Sequence, residues 1–338
     1  MTSSEPRTPT ALVLRALALG DLLVAVPALR ALRRGRPEHH IVLAAPGPLG
    51  WLAELSGAVD AVQPTATLDD LRPPPGGPPE LAVNLHGAGP QSHRALDATA
   101  PVERIGFRPG GLGVVHEEHG RCSVVRTRPV VHPGWRGSAY SDAVAAHPHE
   151  RELWCALLDE HGIPADPLDL RLTPPERGAP VIVVHPGAAF GAKRWPVERF
   201  AVVAAALDGP VPVVLTGTAG ERPAAERVAA DAGLPAGRVL AGRTSLPELS
   251  AVIAGADLVI CGDTGVAHLA SAFGTPSVVL FGPVGPERWG PPPGPHTALC
   301  KPALRHGDRF ADDPDPALLA IEVAEVLDAA AGLQRART

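Results

Sequence analysis

The side chains in this sequence with the most chemical potential sit in short polar loops that follow apolar runs. Five stand out: Gly20-Asp21, His185-Pro186-Gly187, Thr216-Gly217-Thr218-Ala219-Gly220-Glu221, Cys261-Gly262-Asp263-Thr264-Gly265 and Gly282-Pro283. In open parallel sheets ligands gather beyond the carboxyl ends of the strands, where such loops lie. Four of the five fall in the second half, which marks that half as the main ligand-binding one.

In the stretch from Val259 to Pro276, the positions Val266, Leu269, Ala270 and Phe273 share one helical face, so that face is predicted to be buried. His268 is predicted to point away from it, on the side of Thr264. The amides of Thr264 and Gly265 then stand at a helix N-terminus, where the dipole and unpaired N–H groups suit a phosphate. A carboxylate beside a bound phosphate repels it, so Asp263 is expected on hydroxyls of the ligand instead. An ordinary Asp cap with a solvated histidine would give the same local pattern.

The run Gly187-Ala188-Ala189-Phe190-Gly191-Ala192-Lys193-Arg194-Trp195-Pro196 is not a Walker loop, because no Gly-Lys-Ser/Thr follows at the needed spacing. Pro196 marks a helix start, which leaves Lys193 and Arg194 on the loop before it. There they could neutralise a departing diphosphate. Lysine occurs only at Lys193 and Lys301 in an arginine-rich chain, which singles out Lys193. Asp21 precedes a stripe of Leu22, Ala25, Val26, Leu29 and Leu32, and Pro27 predicts regular helix only from about Val24. Asp21 is therefore either a structural cap or a base projecting into a cleft.

These loops need a frame, and 338 residues suffice for two domains with their own cores. Strand-like runs at Ala11 to Leu14, Ile41 to Ala44 and Leu81 to Leu85 alternate with helical ones, and Leu71 to Pro79 is too rich in proline for either. Arg151 to His161 predicts a helix closed by Gly162 and Pro164. Thr173 to Gly178 has linker composition, so the domains are placed at residues 1–172 and 178–338. In the second, strands are predicted at Val181 to Val184, Val211 to Leu215, Arg238 to Leu240, Leu258 to Ile260 and Ser277 to Phe281, a Rossmann-like parallel sheet. Ser245 with Glu248 predicts a capping box, and Gly274 with Pro276 a helix stop.

Together these residues resemble glycosyltransferase family 9, the family of the lipopolysaccharide heptosyltransferases. The resemblance is carried by Leu12-Val13-Leu14-Arg15 with Leu19-Gly20-Asp21, His185-Pro186-Gly187-Ala188, Lys193-Arg194-Trp195-Pro196, Gly262-Asp263-Thr264-Gly265 with His268, and Phe281-Gly282-Pro283 with Arg288-Trp289-Gly290. It implies a GT-B architecture: two Rossmann-like, doubly wound α/β domains with the active site in the cleft between them, the first on the acceptor side and the second holding the nucleotide-sugar. It further implies inverting, metal-independent transfer from a nucleotide-diphospho-sugar, ADP-linked, to a saccharide or cell-envelope glycan. Asp21 is then the candidate general base and Lys193 the candidate for diphosphate charge. His185, Gly187, Thr264, Gly265 and His268 would line the donor, Asp263 its sugar, and Thr216, Gly217 and Glu221 its nucleoside side. No cofactor is implied, the nucleotide-sugar being a substrate. A glycan or glycolipid acceptor would bring the protein into peripheral contact with the inner membrane face. The run Val284-Gly285-Pro286-Glu287 lacks the Thr-Asp common in the heptosyltransferase branch, so the resemblance does not fix heptose as the sugar.

Net charge of −6 gives no basic footprint for nucleic acid. Cys122, Cys155, Cys261 and Cys300 lack metal or disulfide spacing, and the N-terminal stretch, broken by Arg15 and Asp21, fits neither a signal peptide nor a spanning helix, so a cytoplasmic protein is expected. His116 with His119, and His147 with His149, read as solvated loop histidines and not metal ligands, and Asp313-Pro314-Asp315 as a loop. The alternatives are a nucleotide-sugar 2-epimerase of the same architecture, or a non-catalytic sugar- or nucleotide-binding relative.

Overall fold

A computed structural model describes residues 8–108, 114–118, 121–125, 134–173 and 177–336. The chain divides into two compact units, Met1–Leu170 and Arg171–Thr338.

Unit 1 runs β1 (Thr10–Leu14), α1 (Leu19–Gly35), β2 (His40–Ala45), α2 (Gly50–Leu55), β3 (Ala61–Pro64), β4 (Leu81–Asn84), α3 (Gln91–Asp97), β5 (Glu103–Ile105), a β6 (Val114–Glu118) and β7 (Arg121–Val125) hairpin, α4 (Tyr140–Ala146) and α5 (Glu150–Asp159). The sheet order is β3-β2-β1-β4-β5, all parallel. Every residue of β1 is buried, which is why residues 11–14 are a continuous apolar run and not an alternating one. The chain winds one way from β1 and then returns to β4 on the other side. The β1/β4 boundary is therefore the switch point where the sheet opens a crevice.

Unit 2 runs β8 (Ile182–His185), α6 (Val197–Leu207), β9 (Val213–Leu215), α7 (Arg222–Asp231), α8 (Leu246–Gly255), β10 (Leu258–Gly262), α9 (Gly265–Phe273), β11 (Ser277–Phe281), α10 (Pro286–Trp289), β12 (His296–Cys300), α11 (Pro316–Leu319) and α12 (Val323–Arg335). The order is β12-β11-β10-β8-β9, again parallel, with its switch point between β8 and β10. Ile182, Val184, Phe200, Val213, Ile260 and Val278 lie in one core, with Trp195 meeting Phe200 edge-on at 5.0 Å. The Trp195 indole N–H donates to the Ile321 carbonyl at 3.1 Å, tying the entrance of α12 to that core.

Several local expectations are met in detail. Ser245 and Glu248 form both halves of a capping box, and Gly274 ends α9 at φ +70°, with the Arg171 guanidinium packed where a side chain would stand. Others need correction. The first helix starts at Leu19 and passes through Pro27, not from Val24: the loss of one backbone bond is outweighed by the buried run from Leu22 to Leu32. The strand predicted at Arg238 to Leu240 shrinks to one bridge, Leu215 to Val239, because Ala236–Arg238 turns as a 3-10 helix. Strands β3, β5 and β12 were not visible in the pattern. Each is short or only partly buried, and all three lie at sheet edges. His149 is not a solvated loop histidine: it is buried, and its Nδ1 accepts the Arg151 amide at 3.1 Å as the cap of α5. His119 lies outside the described residues, as does the side chain of His116.

Candidate active site

In unit 2 the loops after β9, β8, β10 and β11 lie side by side at one edge of the sheet, because parallel pairing puts Cys261 beside His185 and Val184 beside Leu215. Neighbouring strands are about 5 Å apart, so side chains from adjacent loops can meet. At the switch point they do: the Lys193 ammonium donates to Asp263 Oδ2 at 2.7 Å. Asp263 is 8% exposed, and its own amide donates to the Leu280 carbonyl of β11 at 3.1 Å. Gly262 lets β10 pass close to the loop, since a Cβ there would stand 3.3 Å from the Lys193 carbonyl.

Thr264 caps α9 with extended backbone and no side-chain cap bond, and its hydroxyl is buried without a hydrogen-bond partner. An orphaned hydroxyl at a helix N-terminus is poised for an incoming acceptor such as a phosphate oxygen. His268, expected on the side of α9 away from Val266 and Leu269, is not solvated. It is 6% exposed, because α9 is buried on all sides, and its ring meets Trp289 edge-on at 5.9 Å.

The loops after β8 and β9 bring together His185, Gly187, Thr216, Gly217 and Glu221. His185 Nδ1 lies 3.1 Å from the Thr216 hydroxyl, and burial lowers the imidazole pKa, keeping it neutral. Glu221 folds back so that Oε2 accepts the Thr218 amide at 2.7 Å. Its carboxylate occupies the space that a Cβ on Gly187 would need. The pattern of hydroxyl, carboxylate and bare backbone suits a polyhydroxylated ligand.

The loop carrying Lys193 is braced from behind. The Ala192 amide donates to the Ala311 carbonyl at 2.8 Å, and the Asp315 amide to the Ala192 carbonyl at 3.1 Å. Asp315, read from sequence as loop, is buried and accepts from the amides of His306, Gly307 and Ala317. Only its place one residue before a Pro-initiated helix hinted at this.

In unit 1 Asp21 lies in the first turn of α1, and its carboxylate is not a cap. Its side chain, 26% exposed, pairs instead with Arg15 Nη2 at 3.4 Å at the β1/β4 switch point. His86, just after β4, shares this corner. Burial, then the Arg15 charge, lower its pKa to about 4 against an opposing pull from Asp21, so it is neutral. Lys193 and Asp21 lie in different units.

Residues 159–311 match the family described as glycosyltransferase family 9 (heptosyltransferase). The chain is glycosyltransferase family 9-like. The matched residues hold the whole unit 2 constellation but not Asp21. This family 9-like chain is 37% identical to lipopolysaccharide heptosyltransferase 2 of Escherichia coli (strain K12) over 113 residues, 32% of each chain. The alignment thus spans about a third of that curated relative's length. The fold likeness is nearly complete. A family 9 glycosyltransferase from Veillonella parvula superposes with TM-score 0.74 at 19% identity, covering 97% of both chains. The E. coli ADP-heptose lps heptosyltransferase II gives 0.73 at 21%, covering 97% of this chain and 99% of that one. The fold is accordingly GT-B, with two Rossmann-like α/β domains. Among the described residues no helix is long and apolar enough to cross a membrane.

Proposed function

We propose that the protein is an inverting glycosyltransferase that moves a sugar, of the heptose class, from an ADP-linked donor to a saccharide or glycolipid of the cell envelope. The observation that carries this reading is the Lys193–Asp263 pair beside the uncapped α9 N-terminus and the orphaned Thr264 hydroxyl, within the residues matching the family. The donor's ADP-heptose character follows the name of the E. coli neighbour, whose fold this chain shares.

In the proposed reaction an acceptor hydroxyl oxygen attacks the anomeric carbon while the bond from that carbon to the diphosphate oxygen breaks. The bonding pair leaves on the nucleoside diphosphate, and the acceptor proton passes to the Asp21 carboxylate. One displacement inverts the anomeric centre. Lys193 and the amides of Thr264 and Gly265 neutralise the charge growing on the leaving diphosphate. Asp263 contacts the sugar and Thr216, Gly217 and Glu221 hold the nucleoside side, while His185, Gly187 and His268 shape the walls of the donor site. Charge on the diphosphate is met by these groups without a metal ion. A glycolipid acceptor would draw the protein to the membrane face.

The test is a thermal-shift screen of nucleotide-sugars followed by a transfer assay with the donor that stabilises most. ADP-linked sugars should give the largest shift, and the product should have the opposite anomeric configuration to the donor. Stabilisation by no nucleotide-sugar, or retention of configuration, would overturn the reading.

A further inference from the structure

Arg15 is the most buried charged side chain at either switch point, at 1% exposure. Burying a guanidinium is costly unless all its edges are engaged. Here they are. Nε donates to the Asp21 carbonyl at 2.9 Å, Nη2 reaches Asp21 Oδ1 at 3.4 Å, and Nη1 donates to the Leu85 carbonyl. One face of the guanidinium lies over Trp154, 4.9 Å from the ring centroid, a cation–π distance. Trp154 is itself fixed, because its indole N–H donates to Glu150 Oε2 at 2.7 Å within α5. The loop after β4 and helix α5 therefore set the plane of the guanidinium, and the guanidinium in turn grips Asp21 by both backbone and side chain.

We propose that Arg15 is the positioning residue of the acceptor side, holding the Asp21 carboxylate in the orientation from which it takes the acceptor proton. The proposal rests on the reading of Asp21 as the base. Asp21 makes no capping bond, so its own helix does not fix the carboxylate. A lysine could keep the charge but not the two-point grip, which needs the planar fork. The competing role for Arg15 is a staple joining the loops after β1 and β4, which would serve stability alone.

A double-mutant cycle separates the two. Arg15→Ala, Arg15→Lys, Asp21→Ala and the Arg15→Ala/Asp21→Ala double variant of the full chain are compared for kcat, donor KM and Tm in the transfer assay. Removing Arg15 alone should lower kcat about ten- to a hundredfold, the cost of a misplaced catalytic group, with donor KM unchanged. Arg15→Lys should recover only part of that loss. In the Asp21→Ala background the Arg15 substitution should cost nothing further. If the double variant loses the full Arg15 factor again, or if Arg15→Ala lowers only Tm, the proposal fails. Should Arg15→Ala not fold, Arg15→Lys is read in both backgrounds by the same criteria. Undiminished activity of Asp21→Ala would instead sink the reading of Asp21, whatever Arg15 does.

Discussion

Lys193 and Asp263, seventy residues apart, form a 2.7 Å ion pair across the boundary of β8 and β10, the switch point of unit 2. The pair has a chemical consequence for the proposed donor. On the proposed reading, a diphosphate that takes Lys193 would draw it from Asp263, and the freed carboxylate, repelled by the diphosphate, would turn to the sugar hydroxyls. Lys193 thus exchanges one anion for another, and binding does not begin from a bare cation.

Asp263→Asn should therefore separate binding from turnover. Removing the carboxylate releases Lys193 and the repulsion of the diphosphate together, so ADP should bind several-fold more tightly, a gain of about 1 kcal/mol on the scale of one hydrogen-bonded charge. Transfer should fall because the sugar loses its anchor. Calorimetric titration with ADP and the transfer assay check the two halves. Weaker ADP binding would show that Asp263 holds Lys193 in place for the diphosphate.

Lys193→Ala and Asp21→Ala should each lower kcat at least about a hundredfold. Lys301→Ala should leave it unchanged, since Lys301 pairs with Glu325 at a half-exposed surface, where an ion pair is worth little. Steady-state kinetics of the three variants decide the matter.

Gly187→Ala should raise donor KM while leaving Tm nearly unchanged. The new methyl collides with the Glu221 carboxylate, the far end of a flexible side chain that can swing away. In doing so it leaves the Thr218 amide it now holds and the place proposed for the nucleoside.

Acid should weaken unit 1 through His86. Its pKa is about 4 in the fold against 6.5 as a free side chain, so between those values the unfolded chain binds the extra proton. Stability from this group is complete above pH 6.5 and drains away as pH falls toward 4, by on the order of 3 kcal/mol. His185, also lowered by burial, acts in the same direction. His86→Gln should flatten the acid limb of the Tm profile in part, leaving the His185 share. An unchanged limb would show that His86 is protonated in the native state.

Transfer should survive prolonged treatment with EDTA or a stronger chelator, with kcat unchanged when magnesium is restored. A rate abolished by chelation and recovered with one particular ion would overturn the metal-free reading.

The loops of unit 2 were legible because two kinds of signal agree in them. Ser245 with Glu248 and Gly274 with Pro276 bound the helices, and an apolar run before each polar loop fixes where a strand must end. The partnership of Lys193 with Asp263 was not legible. Spacing along the chain says nothing of which strands adjoin, and only the order β10-β8-β9 makes them neighbours. The burial of His268 was not legible for a related reason: helical periodicity finds one buried face but not a second covering by Trp289. Arg15 stands out in the sequence only as a break in an apolar stretch and as the last residue of one family-like run, with no role attached to it. Its grip on Asp21 depends on Trp154, which lies far along the chain on α5.

That same indole gives the protein an optical handle. Trp154 is buried beneath a guanidinium that also holds Asp21, so any ligand that displaces the carboxylate alters the charge over the ring and with it the emission of this tryptophan. With the chain's other tryptophans replaced by phenylalanine, acceptor engagement could be followed in real time by fluorescence, with neither a label nor a turnover event.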